Sequence, residues 1–218
     1  MQIKRIYLGF EFILLFFVIP LFLYLFPEIV FRPIAFLLPL VLLIFFYLYR
    51  APGFKFMELL KLNIDRKIWF KNLLTIVITG ILMLLSVWYF DPANLFNLPR
   101  MNLRLWFMLC IFYPLFSASI QEIIFKTFFF RRYRELFRSK TTLIIGSGIS
   151  FGFMHIVYYS WISMSLSFFM GIYLAMVYEK TGSVLFITIL HGIFGIMAFS
   201  FGLGQYFWLD MFEYINKF

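Results

Sequence analysis

The chain has 218 residues, of which 64% are apolar and only 13% charged, and its mean hydropathy is +0.95. No soluble domain of this length has an interior that could hide so much apolar surface, so the composition excludes one and points to the bilayer. The formal net charge of +9 would allow nucleic acid as a partner, and where the bases fall along the chain decides that question.

Seven apolar segments are long enough to cross a hydrocarbon core of about 30 Å as helices. They are residues 6–26, 33–49, 73–90, 105–130, 141–159, 161–178 and 184–204. The first follows Lys4 and Arg5 as a secretory signal would. It is too long for a signal's apolar region and has no small-residue cleavage site, so it reads as an uncleaved anchor. Between the second and third segments, residues 50–72 mix bases with Phe54, Phe56, Met57, Leu59, Leu60 and Leu62, the composition of an interfacial amphipathic stretch. Residues 131–140 read as a helix-borne basic belt with Tyr133, Leu136 and Phe137 facing lipid. The tail from residue 205 carries Tyr206, Trp208, Phe212 and Tyr214, suited to the opposite interface. Cys110, the single cysteine, lies in an apolar run and reads as a small buried hydrophobe; alone it forms neither an intramolecular disulfide nor a thiolate cluster.

The bases sort by side of the membrane. With the N-terminus inside, the cytoplasmic face holds 14 of them: Lys4, Arg5, Arg50, Lys55, Lys61, Arg66, Lys67, Lys71, Arg131, Arg132, Arg134, Arg138, Lys140 and Lys180. The other face holds 4, namely Arg32, Arg100, Arg104 and Lys217, while Lys126 lies inside a span. This asymmetry follows the positive-inside rule, predicts a C-terminus outside, and accounts for the basic charge through topology and attraction to membrane lipid headgroups, without nucleic acid. The expectation is an all-α polytopic bundle in the cell membrane, a single membrane domain over residues 1–218.

Ionisable groups inside a bilayer are expensive, about 2.5–3.5 kcal/mol each at helix centre on insertion scales, and so are informative. Here they are Glu11 in the first span, Glu122 and Lys126 in the fourth (with the polar Gln121), His155 in the fifth and His191 in the seventh. Glu122 and Lys126 stand four residues apart in the orientation that suits an ion pair. That pairing would leave both histidines of the chain unexplained. Two histidines and a carboxylate on three helices suit water activation, by a glutamate base beside neutral imidazoles or by a divalent metal such as zinc. A proton relay or ion pathway uses the same residue types, although no inverted repeat or paired broken helix marks a transporter.

The spacing of these residues resembles that of the CAAX prenyl endopeptidase and bacteriocin-processing (CPBP, or Abi) family of intramembrane proteases. That family shows EExxxR, then FxxxH, then HxxxN or HxxxD on successive helices. Here Gln121, Glu122 and Lys126 stand in the first motif, Phe151 and His155 in the second, and His191 and Gly195 in the third, over a protease-like core of about 105–199. The resemblance implies peptide-bond hydrolysis near a hydrophobic or lipid-modified terminus of a membrane-associated substrate. Glu122, His155 and His191 would be the catalytic set, Gln121, Lys126, Phe151 and Gly195 would support it, and His155, His191 and Glu122 would be the ligands if a metal is used.

The motifs also depart from the pattern. Gln121 stands where the family's first glutamate acts as base, and an amide cannot take that proton. Gly195 offers no side chain where Asn or Asp would help hold the oxyanion, a loss of about 10²–10³ in rate. Lys126 keeps the charge of arginine without its planar fork. Two readings follow: a working variant with Glu122 as base, or a catalytically impaired pseudo-protease that binds or chaperones a membrane partner. Neighbouring helical positions point about 100° apart, so Glu122 can do the work of residue 121 only if the helix is rotated.

Overall fold

The structure is a computed structural model that describes residues 2–26, 33–62 and 64–208, with the backbone alone for residues 33–37. The expected aromatic tail at Phe212 and Tyr214, and the cations Arg32 and Lys217, lie outside the described residues. Among the described residues the fold is all-α. In a bilayer every backbone amide must find its partner within its own helix, and long apolar runs without internal glycine turns satisfy that demand.

Six helices are long and apolar enough to cross a membrane: α1 (Gln2–Leu25), α3 (Arg66–Phe90), α4 (Leu103–Tyr133), α5 (Lys140–Tyr158), α6 (Trp161–Thr181) and α7 (Val184–Phe201). The helix α2 (Pro33–Arg50) supplies the seventh apolar segment. The helix ends are marked by local chemistry. Asp65 caps α3 by accepting the Lys67 amide at 2.6 Å. Ser139 and Thr142 form a reciprocal capping box on α5, and Ser183 accepts the Phe186 amide at 3.1 Å on α7. Such side chains satisfy amides that the first turn leaves without partners. Gly182 and Gly202 end α6 and α7 at φ +63 and +106, backbone that favours glycine.

The helices cluster into two compact units. The first comprises residues 1–54, 124–176 and 206–218. Its interior is aromatic, with the rings of Phe12, Phe16, Phe125, Phe129 and Tyr133 meeting at 5.2–5.8 Å, mostly edge to face. Within it α5 and α6 touch backbone to backbone: a Cβ on Gly148 would lie 2.4 Å from Ile172 Cγ1, and one on Gly171 3.1 Å from Gly148 Cα. Small residues at the contact are the usual device for helix pairs in lipid, where no hydrophobic force drives them together. Ser147 of α5 donates to the Phe125 carbonyl at 2.8 Å.

The second unit comprises residues 55–123 and 177–205. Here α7 is the central element. It meets α3 where Trp69 packs edge-on against Phe186 and where Gly80 leaves room for Met197; Trp106 donates its indole N–H to Ser200 Oγ at 2.8 Å. The outer face of α3, with Leu73, Leu74, Val77, Ile78, Ile81, Leu82 and Leu85, is exposed, as suits a surface covered by acyl chains.

Three expectations need correction. Residues 131–140 do not form a lipid-facing helical belt, because α4 ends at Tyr133 and a turn follows. Tyr133 is fully buried, its hydroxyl donating 2.8 Å to Glu11, and Phe137 packs on Phe12 and Phe129. The intramembrane carboxylate of Glu11 is the physical reason: it draws in Arg132, whose Nε and Nη2 donate to its two oxygens at 2.8 and 2.6 Å. The third span starts earlier than residue 73, so Arg66, Lys67 and Lys71 ride on the first turns of α3, and the preceding loop is shorter, with a 3₁₀ turn at Phe56–Leu60. Finally, Cys110 is half-buried rather than enclosed.

Candidate active site

The second unit brings Glu122 and His191 together. Glu122 Oε1 lies 2.8 Å from His191 Nδ1, and the two side chains are 0% and 1% exposed. On the other side of the ring, His191 Nε2 lies 2.9 Å from the Tyr113 hydroxyl. With Glu122 ionised, Nδ1–H donates to the carboxylate and Nε2 accepts the phenolic O–H, so both ring nitrogens are engaged and the tautomer is fixed.

The approach of α7 to α4 that makes this contact depends on two glycines. A Cβ on Gly192 would stand 2.9 Å from Pro114 Cβ, and one on Gly195 only 2.2 Å from Tyr113 Cε1. Gly195, expected to leave the site without a polar group, instead makes room for an aromatic ring that brings its own hydroxyl.

Glu122 reaches His191 from a helix with altered pitch. Tyr113–Ala118 and Ile123–Phe128 are π-helical, flanking a single α-turn, Ser119–Glu122. Pro114 sits in the first π stretch, where a wider turn accommodates its ring and missing N–H. A π-turn takes up an extra residue and so shifts later side chains by about the 100° that separates neighbours on an α-helix. This supplies the rotation that a glutamate at position 122 requires. Gln121 is half-buried and donates its amide to Ser117 Oγ at 2.9 Å, on its own helix.

The first unit holds Lys126, Phe151 and His155. Lys126 is fully buried, with its ammonium 4.9 Å from the centroid of the Phe151 ring, a cation–π distance. His155 lies where the α-helical part of α5 gives way to a 3₁₀ turn. Its Nδ1–H donates to the Phe151 carbonyl at 2.8 Å, satisfying an acceptor that a helix end leaves open. That bond leaves the lone pair on Nε2. The imidazole, 8% exposed, is ringed by Phe151, Tyr158 and Phe207.

A metal finds no ready ligand set. Among the described residues no three His, Cys, Asp or Glu side chains group to hold an ion, and both nitrogens of His191 are taken. The residues therefore do not fit a two-histidine, one-carboxylate centre, and no chemical step below passes through one. Sequence reasoning missed Tyr113, which is lost among the 13 tyrosines and 34 phenylalanines of the chain. The one signal was the glycine a turn beyond His191, which invites a neighbouring ring into the gap.

Comparison with curated proteins and with solved structures yields no match. A protein-family model, type II CAAX prenyl endopeptidase Rce1-like, matches residues 99–197, a stretch that contains Tyr113, Glu122, Lys126, Phe151, His155 and His191. The membrane-spanning helices and these motif residues agree with that match, and over residues 99–197, a little under half of the chain, the sequence is similar to the CAAX prenyl endopeptidase (CPBP) family.

Proposed function

We propose that the protein is an intramembrane endopeptidase of the cell membrane that hydrolyses a peptide bond near the hydrophobic or lipid-modified terminus of a membrane-associated peptide or protein. The buried Glu122–His191 dyad carries this reading. Glu122 takes the proton of the attacking water, and His191 fixes the carboxylate through the Nδ1 bond. In a site closed to bulk water such fixed hydrogen bonds are stronger than in solution and need no reorganisation as charge develops. Lys126 and Gln121 support the two clusters from α4.

A second reading, the impaired pseudo-protease that binds or chaperones a membrane partner, is favoured by one observation: the Gln121 amide cannot take a proton from water as a carboxylate would, and it is engaged with Ser117. A cleavage assay on purified protein in bilayers, with prenylated and unmodified peptides, separates the two. The enzyme reading expects turnover in the wild type and a loss of at least about 10² in Glu122→Ala and Glu122→Gln. No turnover in the wild type with a gain in Gln121→Glu supports the second reading and sinks the first.

A further inference from the structure

We infer that Tyr113 is the positioning residue of the dyad, its hydroxyl holding His191 in the Nδ1–H tautomer from the volume that a side chain at position 195 would otherwise fill. The inference rests on the enzyme reading for its kinetic consequence and on geometry alone for the hydrogen bond.

The residues make a linear relay. Tyr113 O–H donates to His191 Nε2 at 2.9 Å, and His191 Nδ1–H donates to Glu122 Oε1 at 2.8 Å. Without a donor on Nε2 a neutral imidazole could carry its proton on either nitrogen, and with the proton on Nε2 the ring would offer a lone pair to the Glu122 carboxylate in place of a donor. The ionised Glu122 carboxylate, which can only accept, selects Nδ1–H, and the Tyr113 hydroxyl reinforces that tautomer by donating to the lone pair it leaves on Nε2. The ring itself is held edge-on against His191, with centroids 5.8 Å apart, and against Phe199, at 5.6 Å. It enters the site only because residue 195 is glycine: the ideal Cβ there would lie 2.2, 2.6 and 2.7 Å from Tyr113 Cε1, Cζ and Oη. These are distances real Cβ atoms do not reach, so an aromatic hydroxyl at 113 and a side chain at 195 are mutually exclusive solutions to one need. Position 195 is four residues beyond His191, hence on the same face of α7 one turn on. From there a polar side chain could reach the same imidazole.

The chain has only two histidines, which makes a direct test practicable. Uniformly ¹⁵N-histidine-labelled protein in nanodiscs shows two imidazoles, and His155→Gln identifies the signals of His191. Tyr113→Phe keeps the ring and its packing while removing the donor. It should move the His191 Nε2 resonance away from that of a hydrogen-bonded acceptor and lower turnover about tenfold, the worth of one such bond, with KM unchanged. Gly195→Ala should displace the Tyr113 ring and give the same shift. In a Tyr113→Ala background, Gly195→Asn should recover part of the wild-type His191 signature and turnover.

An unchanged His191 spectrum in Tyr113→Phe would overturn the inference whatever the activity. A shifted spectrum with unchanged turnover would overturn the positioning role and leave only a structural hydrogen bond. A wild type without turnover whose spectrum shifts in Tyr113→Phe would refute the enzyme reading while supporting the tautomer lock.

Discussion

Replacing Glu11 with leucine removes the carboxylate that gathers Arg132 and Tyr133 within the first unit. The carboxylate accepts two N–H bonds from Arg132 and one O–H bond from Tyr133, and the two charged side chains are 17% and 23% exposed. Removing one member of a buried pair costs about 3–5 kcal/mol because the other charge remains. Arg132 would keep the Tyr7 and Tyr47 rings, 5.8 and 5.2 Å away, which offsets about 1 kcal/mol. The stranded Tyr133 hydroxyl adds about 1 kcal/mol. Glu11→Leu should therefore destabilise the protein by about 3–5 kcal/mol. In Glu11→Leu with Arg132→Met no charge is stranded, and the loss should shrink to about 1–2 kcal/mol, the Tyr133 bond alone and some packing. Unfolding free energies in bicelles, measured by steric trapping for the wild type, each single variant and the double, provide the cycle. A double variant as unstable as Glu11→Leu would refute the reasoning, since it would mean that Arg132 was never held by the carboxylate.

The remaining predictions use the same kind of measurement. Gly152→Ala should cost about 1–3 kcal/mol by overpacking, because a Cβ there meets backbone as well as side chain, at 3.0 Å from the Met164 carbonyl oxygen and 2.7 Å from Phe168 Cβ; a variant of wild-type stability would show that α5 and α6 do not touch there. Ser183→Ala should cost about 1 kcal/mol as a lost N-cap of α7, read by hydrogen exchange at the amides of Val184–Ile187, since Ser183 accepts the Phe186 amide and also donates to the Lys61 carbonyl. On the far side of α3, the Asn94 and Gln205 amides hold the Asp91 carboxyl below the usual carboxylate range. Since the folded value lies below the unfolded one, the stabilisation is present above the unfolded value of about 4 and is lost as pH falls through the folded one. Acidification from pH 6 to pH 3 should accordingly lower the protection of the Asn94 amide, measured as exchange relative to its intrinsic rate at each pH, and Asp91→Asn should remove that dependence.

Much of this molecule is legible in one dimension. The span pattern follows from composition and length, because a bilayer sets the number of apolar residues a helix needs and forbids unpaired backbone within it. Glu122, His155 and His191 also stand out in the sequence, since ionisable groups in hydrocarbon are too costly to be incidental. What the linear pattern could not convey is direction. By α-helical arithmetic Glu122 and Gln121 point about 100° apart, and the π-helical stretch that precedes them on α4, Tyr113–Ala118, which no periodicity announces, changes the direction in which Glu122 meets His191. The same holds for long-range pairing. Arg132 looks like one more cytoplasmic base and Tyr133 like a lipid-facing ring until α1 brings Glu11 to them across 121 and 122 residues of sequence. Gly195 reads as a loss until Tyr113 is seen in its place, because a missing side chain is a vacancy whose occupant comes from another helix and is chosen by packing alone.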